Sequence, residues 1–172
     1  TSNTTASHNN ALGYGSLNTN TTGDQNAAFG HNSLGSNTTA SNNSGFGFQA
    51  LMSNTTGADN TAVGSVSLDA NTTGVSNTAV GADSLSANTT GDYNVALGSG
   101  ALQDNTTAGN NTAVGFRSLF ENTTGASNAA VGLNSLHYNT TGGSNVAVGQ
   151  DALFANTTAS NNTAIGKGAM VA

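Results

Sequence analysis

Asn54-Thr55-Thr56-Gly57-Ala58-Asp59-Asn60-Thr61-Ala62-Val63-Gly64-Ser65-Val66-Ser67-Leu68-Asp69-Ala70 is 17 residues long, and Asn71 then opens the same pattern again. Its leading tripeptide, Asn-Thr-Thr, begins at Asn3, Asn20, Asn37, Asn54, Asn71, Asn88, Asn105, Asn122, Asn139 and Asn156. Every step is 17 residues with no insertion or deletion, so the chain is a tandem array, and the period is read before any local motif. Residues 1–172 are Thr1 and Ser2 followed by ten such units. They form a single repeat array with no second domain among them, and starting and stopping inside the pattern suggests an excerpt of a longer chain. The Asn of each tripeptide is position 1 below.

Stacked copies read Asn-Thr-Thr-Gly/Ala-x-x-Asn-x-Ala-Val-Gly-x-x-Ser/Ala-Leu-x-x. Position 10 is always large and apolar, from Leu12 to Ile165, and position 15 is Leu nine times and Met170 once. An invariant Gly at position 11 and Gly or Ala at position 4 leave no room for a helix of useful length. The β-branched character of positions 8 to 10, as in Thr61-Ala62-Val63, fits a short strand instead, and Ser-Leu at 14 and 15 fits a second. The expected fold is all-β: a parallel β-solenoid or β-roll of ten 17-residue coils, assembled as a homotrimer or fibre. Ten rungs would stand on the order of 48 Å tall at the usual strand spacing.

Burial alone does not hold a coil. Two large apolar side chains, at positions 10 and 15, would supply ~3–6 kcal/mol if both were buried, against roughly 1 kcal/mol or more of ordering entropy for each residue fixed. The remainder must come from hydrogen bonds between rungs, from side-chain ladders and from burial between chains. The four copies with Ala at position 4 are also the ones with His or Asn at position 6: His8, Asn42, Asn110 and Asn161. Such residues tolerate the left-handed region, so a positive φ is expected at position 4 in the Gly copies and at position 6 or 7 in these four.

The position-1 asparagines are N-glycosylation acceptors by pattern, and Asn42, Asn110 and Asn161 open three more sequons. The structural alternative is an amide ladder, each Asn bonded to its equivalent one rung away. A sequon leaves its middle residue free and accepts Ser at the third, yet both are Thr in all ten copies, which favours structure. The second invariant row, Asn9, Asn26, Asn43, Asn60, Asn77, Asn94, Asn111, Asn128, Asn145 and Asn162, lacks a sequon and reads as a ladder or turn row. One of the two Thr rows should face solvent, which brings in ice binding as a competing function, although that needs two outward rows.

Other classes find little support. Arg117 and Lys167 are the only basic residues, set far apart, so no nucleic-acid footprint exists. The eight acidic residues scatter over positions 5, 6, 13, 16 and 17 and read as solvated points. No apolar run approaches a membrane span, so this segment inserts in no membrane. Cysteine is absent, and no Gly-Gly-x-Gly-x-Asp pattern marks a calcium roll, so neither metal nor cofactor is expected. His8, His31 and His137 fall at different positions and read as exposed; no His, Asp and Ser recur together, so an enzyme is not expected. Aromatics outside position 10, such as Tyr14, Phe48, Phe116 and Phe120, mark a packing seam between chains or a sugar-binding strip.

The run Asn-Thr-Ala-Val-Gly-x-x-Ser-Leu, at Asn60 to Leu68 and Asn77 to Leu85, resembles repeats of phage tail-fibre-like and bacterial surface proteins. It is also similar to the Asn-Ser-Val-Ala-Ile-Gly repeats of trimeric autotransporter adhesin heads, whose period is shorter. The resemblance implies an extracellular, fibrous, homotrimeric β-roll at a cell surface, in a secreted fibre or on a virion. The expected role is structural: the repeat region of a self-assembling fibre or adhesin, N-glycosylated along the ladder, or a phage tail-fibre shaft.

Overall fold

The computed structural model of the chain describes residues 3–171; Thr1, Ser2 and Ala172 lie outside the described residues. Each coil contributes one three-residue strand at positions 8 to 10: β1 (Asn10–Leu12), β2 (Ala27–Phe29), β3 (Ser44–Phe46), β4 (Thr61–Val63), β5 (Thr78–Val80), β6 (Val95–Leu97), β7 (Thr112–Val114), β8 (Ala129–Val131), β9 (Val146–Val148) and β10 (Thr163–Ile165). Neighbours in sequence pair in parallel, giving one ten-stranded sheet in chain order. Register is the repeat itself, with Thr61, Ala62 and Val63 lying over Thr78, Ala79 and Val80. The fold is the all-β parallel solenoid that the period implies.

The second strand expected at positions 14 and 15 does not form among the described residues. Ser84-Leu85 and its equivalents lie in a turn, because positions 13 and 15 are both left-handed: Asp83 has φ 56° and Leu85 φ 53°. All nine leucines of position 15 adopt this conformation, which a bulky residue rarely takes. Each is nevertheless buried. Burying a leucine contributes about 1.5–3 kcal/mol, and the strained dihedral costs about 1–3 kcal/mol, so the two nearly balance. The turn is held by its hydrogen bonds: the Leu85 N–H donates to the Ala101 carbonyl at 3.0 Å, and the Leu85 carbonyl accepts from the Asn88 N–H at 3.2 Å.

The core differs from expectation in one row. On each strand the central residue points inward, so Ala62, Ala79 and Ala96 are fully buried and positions 8 and 10 must point outward. Position 10 is therefore a surface row, with Val63 and Val80 exposed. The interior is one Leu, one Ala, one Ser or Ala and two Asn per coil, which is narrow and half polar. Ser67 carries a buried hydroxyl without a partner; Ala50, Ala101 and Ala152 fill the same position without one.

The two glycine positions have different causes. Position 11 needs both a rare dihedral and a missing side chain: Gly81 has φ 134°, and a Cβ there would stand 2.6 Å from the carbonyl of Gly98. Position 4 needs no rare dihedral, for the glycines there are absent from the positive-φ residues, and four coils carry Ala instead; where Gly stands, the space is tight. A Cβ on Gly57 would stand 2.7 Å from Asn54 Oδ1 and 3.0 Å from Asn71 Nδ2. The expected shift of the left-handed residue between copies is thus corrected. Position 6 is left-handed in all ten coils, at Gln25 (φ 59°) and Ser76 (φ 57°) as at Asn42 (φ 63°).

Gly166, in the last coil, has a φ of 121° but no atom within 4 Å of its Cβ position. Gly166→Ala should therefore lose only the dihedral penalty, about 1–3 kcal/mol, whereas Gly81→Ala should lose distinctly more. Urea denaturation of both variants checks this, and equal losses would show that contact between coils does not set the glycine row.

Candidate functional site

The described residues hold no cleft of convergent reactive groups; their most constrained polar feature is the pair of asparagine ladders. In the first ladder, Asn71 Nδ2 donates to Asn54 Oδ1 at 2.8 Å and to the Gly74 carbonyl at 3.0 Å. The same pair of bonds recurs coil after coil from Asn37 to Asn156. A side-chain amide has two N–H donors, and both are used.

The second row is wired differently. Asn77 Oδ1 accepts the main-chain N–H of Asn94 at 2.9 Å, while Asn77 Nδ2 donates to the Gly91 carbonyl at 2.8 Å. Gly91 also accepts from Asn88 Nδ2 at 3.0 Å. From Gly23 onward each position-4 carbonyl is therefore a node where both ladders meet, and both of its lone pairs are occupied. The main-chain bond to the preceding Oδ1 is continuous from Asn26 to Asn162.

This geometry divides the thirteen sequons. Asn20, Asn37, Asn54, Asn71, Asn88, Asn105, Asn122 and Asn139 are buried, and from Asn37 to Asn139 the nitrogen to which a glycan would attach lies in the core with both hydrogens bonded. Asn3 and Asn156, in the end coils, are exposed and half-buried. Asn42, Asn110 and Asn161 are exposed at the left-handed position 6. Spacing alone treats all thirteen alike; burial separates them.

The threonine rows also divide. At position 2 the Thr72 hydroxyl donates to the Thr89 carbonyl at 3.1 Å, and the pattern repeats along the array. At position 3, Thr73 and its equivalents are exposed. One free threonine row remains, where an ice-binding face needs two.

Aromatic side chains of successive coils stack on each other. Tyr14, His31 and Phe48 form one column with centroids 5.4 Å apart, and Phe29 and Phe46 another at 5.0 Å. Phe120, His137 and Phe154 form a third at 5.1 and 5.4 Å. Arg117 lies over the Phe120 ring at 5.1 Å. Inner ring faces of these columns are thus covered by neighbouring rings, while Tyr14, at the end of its column, stays largely exposed. His137 is buried in its column, a correction to its reading as exposed.

One constellation escaped the sequence. His8 Nδ1 lies 3.0 Å from Ser7 Oγ, and Ser7 Oγ lies 3.2 Å from Asp24 Oδ1. Serine stands between the other two and the ring meets no carboxylate here, the reverse of a triad in which His links Ser to Asp. All three groups sit on the open surface of the first coils. Asp24 is 17 residues from Ser7, so only the coil register brings them together. No three His, Asp or Glu side chains among the described residues converge as a metal site.

Two carboxylates are not simple solvated points. Burial raises Asp69 above the ordinary carboxylate range; its own and the Ala70 backbone N–H groups oppose this, and Asp83 adds to it. Burial likewise raises Asp104. The chain matches no known family model, no characterised protein and no solved structure.

Asn88→Ala removes the acceptor of Asn105 Nδ2 and a donor to both Asn71 Oδ1 and the Gly91 carbonyl. Orphaned buried groups cost about 1–3 kcal/mol each, so the loss should reach ~3 kcal/mol or more. Thr90→Ala, in the exposed row of the same coil, should stay within about 0.5 kcal/mol; equal losses in calorimetry would remove the ladder from its central place. A raised carboxylate pKa in the folded state means that its charge destabilises the fold. The penalty is complete at neutral pH and fades as pH falls through the folded value toward about 4. The denaturation midpoint should rise between pH 7 and that limit, and Asp69→Asn/Asp104→Asn should be more stable than the parent at pH 7 and show a smaller rise.

Proposed function

We propose that the chain is a structural element, the rigid repeat shaft of an extracellular fibre, filament or adhesin. The observation that carries this reading is the pair of ladders: one bonding scheme repeats from Asn37 to Asn156 in the first and from Asn26 to Asn162 in the second, and among the described residues no interior coil departs from it to build a site. Polar groups that could do chemistry are instead used to join coil to coil. The scarcity of charge, the sequons and the resemblance to surface-fibre repeats support a place outside the cell, at a cell surface, in a secreted fibre or in a phage tail-fibre shaft. The partner is the chain itself.

A shaft lengthens in proportion to its coil number, by ~4.8 Å per coil, whereas a compact globule grows only as about the 0.38 power of chain length. A version with residues 3–172 repeated once in register should double in length by electron microscopy; growth on the globular law would overturn the reading. If the chain carries N-linked sugar, glycopeptide mapping should place it on Asn42, Asn110 and Asn161 and leave Asn37 to Asn139 bare.

A further inference from the structure

The outward face of the sheet has a composition that strand propensity does not explain. Positions 8 and 10 both point outward from the same strand, so both meet the same demand for β-forming residues. Position 8 is mixed, with Asn10, Ser44, Thr61 and only two valines, while position 10 is large and apolar ten times out of ten. Threonine would satisfy the strand at either place. Neighbours along the row cover part of each position-10 side chain, as Phe29 and Phe46 do by stacking at 5.0 Å, but more than a third of most of these side chains stays exposed in the single chain.

Charge is distributed to match. The chain carries eight acidic residues and a net charge of −6, yet none of the eight stands at positions 8, 10 or 12. Lys167, in the last coil, is the one charged residue on those three rows. Two copies meeting at positions 5 and 6 or at positions 13, 16 and 17 would bring carboxylates together; on this face they would not. The row is also wet in a single chain: Phe29, Phe46, Val80, Leu97 and Val148 each keep 36–39% of their surface exposed. Such a long contiguous apolar strip is unusual on a monomer.

We propose that a second copy of this chain covers the face, packing sheet against sheet along the position-10 row. This rests on the reading of the chain as a self-assembling shaft and names the surface through which it assembles. Taking ~48 Å of height and ~10 Å for a three-residue strand, the sheet face offers about 480 Å² per copy, or about 960 Å² for a pair, the size of a weak, reversible interface. The in-register strands present one row at one height, so the surface is self-complementary along its length.

Sedimentation equilibrium of the full chain should show association, and Val80→Asp/Leu97→Asp, at mid-height, should weaken it tenfold or more while strand circular dichroism is kept. A wild-type chain monomeric up to about 100 μM, well above the micromolar range of modest interfaces, overturns the proposal, as does a double variant that associates as tightly as its parent. Should that variant fail to fold, Val80→Cys in this cysteine-free chain should oxidise to a covalent pair at least ten times faster than Thr73→Cys in the exposed row of the same coil; equal rates overturn it. The length measurement above is independent of these results. A monomer that lengthens linearly would sink this interface and leave the shaft standing, whereas a chain that fails to lengthen linearly would sink the shaft.

Discussion

A side-chain amide with nowhere to meet water governs this molecule. From Asn20 to Asn139 the position-1 asparagines are buried, and a buried amide must find partners for two donors and an oxygen. The coil above supplies one partner, the coil below another, and the turn three residues on supplies the third. Aspartate would bring a charge into the core, serine has one donor, and glutamine would overreach the spacing. A fully satisfied polar network of this kind rigidifies and specifies a single arrangement. A slip of one residue would set the position-1 amides against Thr or against the variable position 17 and orphan the whole column. The apolar core is too thin to impose register, so the amides impose it.

The same constraint explains why so much of the fold was legible and where legibility stopped. Period, strand position and parallel stacking followed from identical residues at identical spacing. The inward or outward sense of position 10 did not, since a valine on a strand looks alike on either face, and only the burial of Ala62 and its equivalents decides between them. The left-handed leucine was equally hidden. No local rule places Leu85 at φ 53°; the closure of the coil requires it. Position 6 misled for the opposite reason, because His8 and Asn42 looked like a special case of a conformation that Gln25 and Ser76 also adopt. Sequence marks residues that favour a dihedral and stays silent about those forced into it.

The candidate sites were legible as rows and illegible as surfaces. Thirteen sequons appear equivalent in the string, and the solenoid buries most of one row while exposing Asn42, Asn110 and Asn161 at a corner. Side chains that drift in sequence, such as the aromatic residues of positions 12 and 16, become columns because every coil delivers a given position to the same place. Tyr14, His31 and Phe48 are strangers along the chain and neighbours in space.

That equivalence reaches beyond the folded molecule. Each strand lies over the next in the register of the repeat, so no interior coil holds a strand or ladder bond that another interior coil could not supply. Loss or gain of a block of 17 codons would leave the strand and ladder bonding scheme in place and change the distance spanned. Reach is then a heritable quantity that recombination between near-identical stretches of the gene can tune in single steps, with folding indifferent to the count.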